Sequence, residues 1–218
     1  MNDYEKPDFW SKKAKKEGFA ARSIYKLDEI NKKFNLIKEG QNILDLGCAP
    51  GSWSQFISEK IGETGTLIGI DYKQITVNLK NAHFIYGNFL REHNQEKIMS
   101  FGPYDGIVSD MAPDTTGDKL TDCYASSELV NTALDFSYRY LKKGGFFVAK
   151  IFQGGDEINI MESIKNSFTF SKWFKPDSCR KKSFEIFIIG SGYKGKIEQS
   201  EKEVQVINMD EDSGIMPW

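Results

Sequence analysis

A lysine inside an apolar run is the first residue of this chain that needs a chemical explanation. Lys150 interrupts Phe146-Phe147-Val148-Ala149-Lys150-Ile151-Phe152, and a cation amid buried neighbours is costly unless an acid pairs with it. Asp110, at the end of the apolar stretch Gly106 to Ser109, is the natural partner if the two runs lie side by side as strands. Such a pair can be purely structural, but its place at the strand ends favours acid–base work.

The stretch Asn42-Ile43-Leu44-Asp45-Leu46-Gly47-Cys48-Ala49-Pro50-Gly51-Ser52-Trp53 carries a second chemistry. A short apolar run ending in an acid and a glycine turn is how a strand delivers its backbone to a nucleotide-like ligand. The dinucleotide fingerprint asks for G-x-G-x-x-G, whereas Gly47 and Gly51 stand at a G-x-x-x-G spacing, which argues against a pyrophosphate and against a nicotinamide dehydrogenase. Asp45 lies before the loop, and Asp71 closes the next apolar run, Leu67-Ile68-Gly69-Ile70, at the separation of a ribose-binding acid. The pattern suits a ligand with hydroxyls and an amino group but no phosphates, and S-adenosylmethionine fits that description.

These residues need a sheet to bring them together. Apolar runs read as seven strands: Asn42 to Leu46, Thr66 to Ile70, His83 to Tyr86, Gly106 to Ser109, Phe146 to Ile151, Phe168 to Trp173 and Phe184 to Ile189. Helical spacing marks Arg22 to Phe34, Trp53 to Ile61, Phe89 to Ser100, Tyr124 to Leu141 and Glu157 to Ser167, with Gly144-Gly145 as a helix stop. The alternation predicts an α/β fold, a mainly parallel sheet with helices on both faces. Its ligand belongs outside the carboxyl ends of the strands, where strand order reverses. Asp45, Asp71, Asn88, Asp110 and Lys150 are all strand-end residues on this reading.

Composition agrees with one compact domain over residues 1–193, a basic N-terminal helical segment over 1–40 included, followed by an acidic, peripheral tail over 194–218. The chain has 218 residues, 39% of them hydrophobic, enough for one sizeable core. Cys48, Cys123 and Cys179 are far apart and odd in number, so neither a disulfide framework nor a metal site is indicated. No run reaches the ~18 apolar residues of a membrane span, and the acidic start has no signal-peptide character; a cytoplasmic protein is expected, with an organelle also compatible. The formal net charge of -2 says nothing in favour of nucleic acid, but bases cluster at Lys12, Lys13, Lys15, Lys16 and Arg22 and again at Lys172, Lys175, Arg180, Lys181 and Lys182. Each cluster alone reads as a solvated surface; joined by the fold, they would make a phosphate-binding patch.

Five segments together resemble a known family. Ala21 to Ile30 (ARSIYKLDEI), Asp45 to Gln55 (DLGCAPGSWSQ), Ser109 to Pro113 (SDMAP), Lys150 to Gly154 (KIFQG), and Lys175 to Ser178 (KPDS) with Ser183 to Glu185 closely resemble the RrmJ/FtsJ family of ribosomal RNA 2′-O-methyltransferases, over roughly residues 8 to 191. The resemblance implies a Rossmann-like class I S-adenosylmethionine-dependent methyltransferase whose last strand runs antiparallel. It implies a catalytic tetrad of Lys26, Asp110, Lys150 and Glu185. It also implies cofactor contacts from the loop (Asp45, Gly47, Pro50, Gly51 and Trp53), from Asp71 and Asn88, and from Asp110. Asp45 could equally fix the loop backbone, and Trp53 could equally be core. Two positions depart from the family pattern: Asn88 where many relatives carry an acid, and Ser52 at the second glycine of the loop.

Methyl transfer from a sulfonium to a ribose hydroxyl requires that hydroxyl to lose its proton. An ordinary lysine, with a pKa near 10.4, is protonated at neutral pH. Burial and Lys26 would push Lys150 towards a neutral general base; Asp110 and Glu185 would hold it as a cation that orients the hydroxyl and stabilises the alkoxide. The resemblance also places Lys12, Lys13, Lys16, Arg22, Lys175, Arg180 and Lys181 on an RNA-binding surface. By analogy the substrate is large-subunit ribosomal RNA in a pre-ribosomal particle, with an A-loop uridine as target and the enzyme a monomer. Related enzymes modify transfer RNA or messenger caps, and a non-catalytic assembly factor would keep the same fold.

Overall fold

The computed structural model describes residues 8–180 and 183–195. Lys181 lies outside them, as does all of the tail beyond Gly195. Two helices, α1 (Phe9–Lys16) and α2 (Ile24–Phe34), precede β1 (Asn42–Leu46), α3 (Ser52–Ile61), β2 (Thr66–Asp71) and β3 (Ala82–Tyr86). The chain continues through α4 (Glu92–Met99), β4 (Tyr104–Ser109), α5 (Lys119–Tyr140), β5 (Leu141–Phe152), α6 (Glu157–Ser167), β6 (Phe168–Phe174) and β7 (Glu185–Tyr193). The strands form one sheet in the order β3-β2-β1-β4-β5-β7-β6. β7 runs antiparallel to both its neighbours, and the other pairings are parallel.

Successive strand residues face opposite sides of a sheet, so each central strand feeds two cores. Leu44, Leu46, Ile68, Ile107, Phe147 and Ile151 pack with Ile98 of α4, Leu134 of α5 and Ile164 of α6. Ile43, Leu67, Val108, Val148, Phe187 and Ile189 pack with Leu27 and Ile30 of α2 and Ile57 and Ile61 of α3. This parity positions the chemistry. Lys150 shares a face with Val148, Glu185 with Phe187, and Asp110 continues the face of Val108, so all three point to the side that α2 covers.

The structure moves several boundaries. α1 lies in the basic N-terminal segment expected to be helical over residues 1–40, but its bounds are not legible in the sequence: five of its eight residues are polar or charged, and Ala14 is its one buried residue, so its apolar signal is weak. It is secured by Asp8, whose Oδ1 accepts from Ser11 N at 2.8 Å, an N-cap. α5 begins at Lys119, five residues before the expected Tyr124, because Asp118 caps it through Thr121 N at 2.8 Å. Gly144-Gly145 is not the helix stop. α5 ends at Tyr140, and the glycines lie within β5, where residues 142–145 stand opposite Asp105 between the pairs Tyr104↔Leu141 and Gly106↔Phe146. Gly144 has φ +84°, a conformation that an L side chain resists, and Lys142 Nζ holds both Asp105 oxygens at 2.9 and 2.8 Å. Among the described residues, no helix is long and apolar enough to cross a membrane.

Phe147 is wholly buried at the centre of the sheet. Phe147→Ala is expected to cost about 3–5 kcal/mol, read as a lower urea midpoint with an unchanged m value.

Candidate active site

The tetrad forms where β4, β5 and β7 meet under α2. Lys150 Nζ donates to the backbone oxygen of Asp110 at 2.6 Å and lies 3.0 Å from its Oδ1. Lys26 Nζ lies 2.7 Å from Glu185 Oε1. The four side chains are between 9% and 18% exposed, deep enough to strengthen their charges yet open to a substrate atom. Burial pulls the Lys26 ammonium down, but the charges of Asp110 and Glu185 outweigh it and hold the group above its ordinary value, so Lys26 is a fixed cation at neutral pH. Cys179 lies close by; burial, reinforced by Glu185, pushes its thiol up to about 12, which keeps it a poor nucleophile beside a methyl donor.

Each pair depends on the chain around it. Ala149 is the partner of Ser109 across β4 and β5, so the next residues, Asp110 and Lys150, emerge together. Glu185 opens β7 opposite Phe152; because β7 is reversed, its first residue lies among the last residues of the parallel strands. α2 is pinned at its start, where Ser23 Oγ and Ser52 Oγ are 2.7 Å apart and Trp53 Nε1 donates to Ser23 O at 2.8 Å. Lower down, Glu29 accepts from Asp177 N and Ser178 N at 2.6 and 3.0 Å.

Three carboxylates, Asp71, Asp45 and Asp110, end the adjacent strands β2, β1 and β4 or follow directly on them. Asp71 is nearly buried; its Oδ2 accepts from Ala49 N at 2.9 Å and its Oδ1 from Lys73 N at 2.8 Å. Asp45 is fully buried and accepts from Ser54 Oγ at 2.7 Å, while its other oxygen has no hydrogen bond among the described residues. Asp110 Oδ1 is buried against Lys150 Nζ, 3.0 Å away. A row of acids, beside a loop whose turn requires left-handed glycines at Gly47 (φ +73°) and Gly51 (φ +115°), fits a ligand bearing a sulfonium, an ammonium and ribose hydroxyls.

The loop residues divide by role. A Cβ on Gly47 would meet Met111, and one on Gly51 would meet Val77, so protein packing already demands both glycines. Pro50 O is held by Thr76 through its N and Oγ1 at 3.2 and 2.9 Å. Trp53 is 1% exposed, and its ring lies 5.8 Å from that of Phe187 in the core; its side chain fills the core instead of lining the ligand. Asp45 is tied to α3 through Ser54, the loop-fixing alternative. Asn88, implied by the resemblance as a cofactor contact, is exposed, and its Oδ1 accepts from Leu90 N at 2.9 Å, a turn that already engages its side-chain carbonyl.

The fold does join the two basic clusters, but part of their charge is used internally. Arg22 pairs with Asp8 and donates to Ser178 O; Arg180 Nε lies 3.9 Å from the same Asp8. Lys13 sits over the Tyr25 ring at 4.5 Å, and Lys175 Nζ donates to Ser183 O at 2.6 Å. Lys12 and Lys16 are exposed. The sequence alone does not mark Ser23, Glu29, Ser54, Met111 or Val77 as parts of the site. Ser23, Glu29, Ser54 and Met111 fall within family-like segments, but their partners are distant: Glu29 reaches a residue 149 positions away, a distance at which no local pattern operates. Among the described residues, no group of His, Cys, Asp and Glu could hold a metal ion.

A sheet in this order with one reversed strand, a glycine turn after β1 and acids ending its neighbours define a class I, Rossmann-like methyltransferase that uses S-adenosylmethionine. Comparison with known proteins narrows the class: residues 19–193 match the model for FtsJ-like methyltransferases, and the chain belongs to that family. It is 47% identical over 191 residues to the "Ribosomal RNA large subunit methyltransferase E" of Bdellovibrio bacteriovorus, covering 86% of this chain and 97% of that protein. It is 41% identical over 196 residues to the protein of the same name from Treponema denticola, covering 89% and 98%. A crystal structure described as a ribosomal RNA methyltransferase from Plasmodium falciparum superposes with a TM-score of 0.72 at 29% identity, covering 82% of this chain and all of that one.

Burial pushes the Asp45 carboxyl up to about 7, with Ser54 opposing and the charges of Asp110 and Asp71 adding. The folded state thus keeps a proton that the unfolded chain releases near the ordinary aspartate value of 3.8. Stability is lost as pH rises through that window and levels off above it. Asp45→Asn retains an acceptor for Ser54 without the charge. Its urea midpoint is expected to vary less than that of the unaltered protein between pH 5 and pH 8, and to exceed it at pH 8.

Proposed function

We propose that this protein transfers a methyl group from S-adenosylmethionine to a ribose 2′-hydroxyl of large-subunit ribosomal RNA, acting as a single-domain monomer on an A-loop uridine in a pre-ribosomal particle. The observation that carries the reading is the convergence of two lysine–carboxylate pairs, at 3.0 and 2.7 Å, on one side of the strand ends. The name shared by the bacterial relatives supports the choice of RNA.

When bound, S-adenosylmethionine supplies a methyl group on a positively charged sulfur, open to in-line attack. The protein supplies the rest. Lys150 Nζ meets the ribose hydroxyl and takes up or shares its proton as the oxygen attacks. Asp110 fixes Lys150 from two directions, through its backbone oxygen and its carboxylate. Lys26, held cationic, stabilises negative charge growing on the ribose oxygen, and Glu185 keeps Lys26 from collapsing onto Asp110. Asp71 and the Gly47–Gly51 loop hold the nucleoside of the methyl donor. The exposed Lys12 and Lys16, with Lys175 and Arg180, face RNA phosphates.

Label from S-adenosylmethionine is expected on large ribosomal subunits lacking 2′-O-methylation, at one uridine ribose, and to a lesser extent on protein-free ribosomal RNA or transfer RNA. Lys150→Ala should lower transfer by roughly 10²- to 10⁴-fold and leave the Kd for S-adenosylmethionine within about threefold. Label on a base, or substantial transfer by the variant, overturns the reading.

A further inference from the structure

On the other side of the sheet from the tetrad, residues at the ends of β5, β6 and β7 line an open cavity of about 300 Å³. Its walls include Trp173 at the end of β6, Ile186 of β7, Glu157 and Ile158 at the start of α6, Gln153 after β5, and Lys175. The cavity adjoins the tetrad through the chain itself: Ile186 follows Glu185, and Glu185 stands opposite Phe152, the residue before Gln153. We propose that this cavity receives a nucleobase of the substrate RNA, from a nucleotide next to the one whose ribose reaches Lys150. The inference rests on the reading of the site as an RNA 2′-O-methyltransferase.

The lining has the chemistry of a base site. Single-stranded RNA is read by bases splayed onto aromatic surfaces and hydrogen-bonded along their edges. Trp173 and Ile186 give an apolar wall, and Ile158, 68% exposed on the first turn of α6, leaves a large aliphatic surface in water at the mouth. Gln153 is exposed, and its side-chain amide makes no hydrogen bond among the described residues; it offers both a donor and an acceptor to a base edge. The volume lies at the lower end for small-molecule pockets and suits a single base better than a dinucleotide.

Charge points the same way. Glu157 would repel a polyanion, but its two oxygens accept from Gly154 N and Gly155 N at 3.0 and 2.9 Å, which draws the carboxylate into the turn. Lys175 keeps a positive charge at the wall for the phosphate of a bound nucleotide. The first turns of α5 flank Gln153, with Cys123 Sγ donating to Gln153 O at 3.2 Å. They add exposed Leu120 and Tyr124 and place Lys119 Nζ 5.8 Å from the Phe184 ring. Bases and apolar side chains interleaved on one rim are the composition of a single-strand track.

The test uses RNA fragments spanning the target, with 4-thiouridine on either side of it, irradiated with the full chain in the presence of S-adenosylhomocysteine. Cross-linked peptides are expected to contain Gln153 or Trp173. In parallel, Gln153→Ala and Ile158→Asp should each raise the KM for RNA, roughly tenfold for a lost base contact, with the Kd for S-adenosylmethionine and the melting temperature unchanged. If the unaltered protein transfers methyl to RNA while KM stays within twofold in both variants and no such peptide is found, the base site is wrong and the enzyme reading stands. If no RNA is methylated yet these peptides cross-link, the base site stands and the enzyme reading fails. Neither transfer nor cross-linking overturns both.

Discussion

Two lysine side chains can sit at the rim of this core only because each meets a carboxylate at once. Unpaired, either would face a desolvation cost of several kcal/mol. Paired, they form a compact, nearly neutral cluster whose geometry is set by the sheet. The register that places Asp110 beside Lys150, and the reversal of β7 that brings Glu185 to Lys26, are therefore parts of one requirement. α2 is fixed by the same requirement, pinned at its start by Ser23 and along its length by Glu29.

The two faces of the sheet divide the work. The face under α2 and α3 carries the tetrad and the buried contacts of the glycine loop, while the face under α4, α5 and α6 builds most of the apolar core. The loop glycines show how far packing alone sets this site: Met111 and Val77 fill the space that side chains at Gly47 and Gly51 would need, so the loop holds its conformation without a ligand. Three acids lie along adjacent strands on this side of the molecule, while the basic residues belong to the N-terminal segment and the turn before β7. The surface proposed for RNA is thus separate from the strand ends proposed for the cofactor.

Much of this was legible in the residues. The apolar run of β5 marked Lys150, and Asp110 at the end of the neighbouring run as its partner, because burial leaves a lysine few alternatives. The segments resembling the family supplied Lys26 and Glu185, which spacing alone does not single out. Other features were hidden for identifiable reasons. Gly144-Gly145 looked like a helix stop because a bulge and a cap use the same residue; only the pairing with β4 distinguishes them. Trp53 sat in a ligand-binding motif yet fills the core, since a helix just after a glycine turn presents one residue inward. The internal use of Arg22 depends on Asp8 and Ser178, which lie at opposite ends of the described chain.

The reversal of β7 also sets the order in which the protein matures during synthesis. Lys26, Asp110 and Lys150 emerge from the ribosome early, but the parallel strands alone leave Lys26 without its acid partner. Domains fold as their chain is completed, and here the last central strand delivers the last member of the cluster with its first residue. A nascent chain stopped between residues 52 and 184 has the glycine loop but lacks Glu185. The chemistry proposed for the tetrad thus waits on the residue that opens the reversed strand.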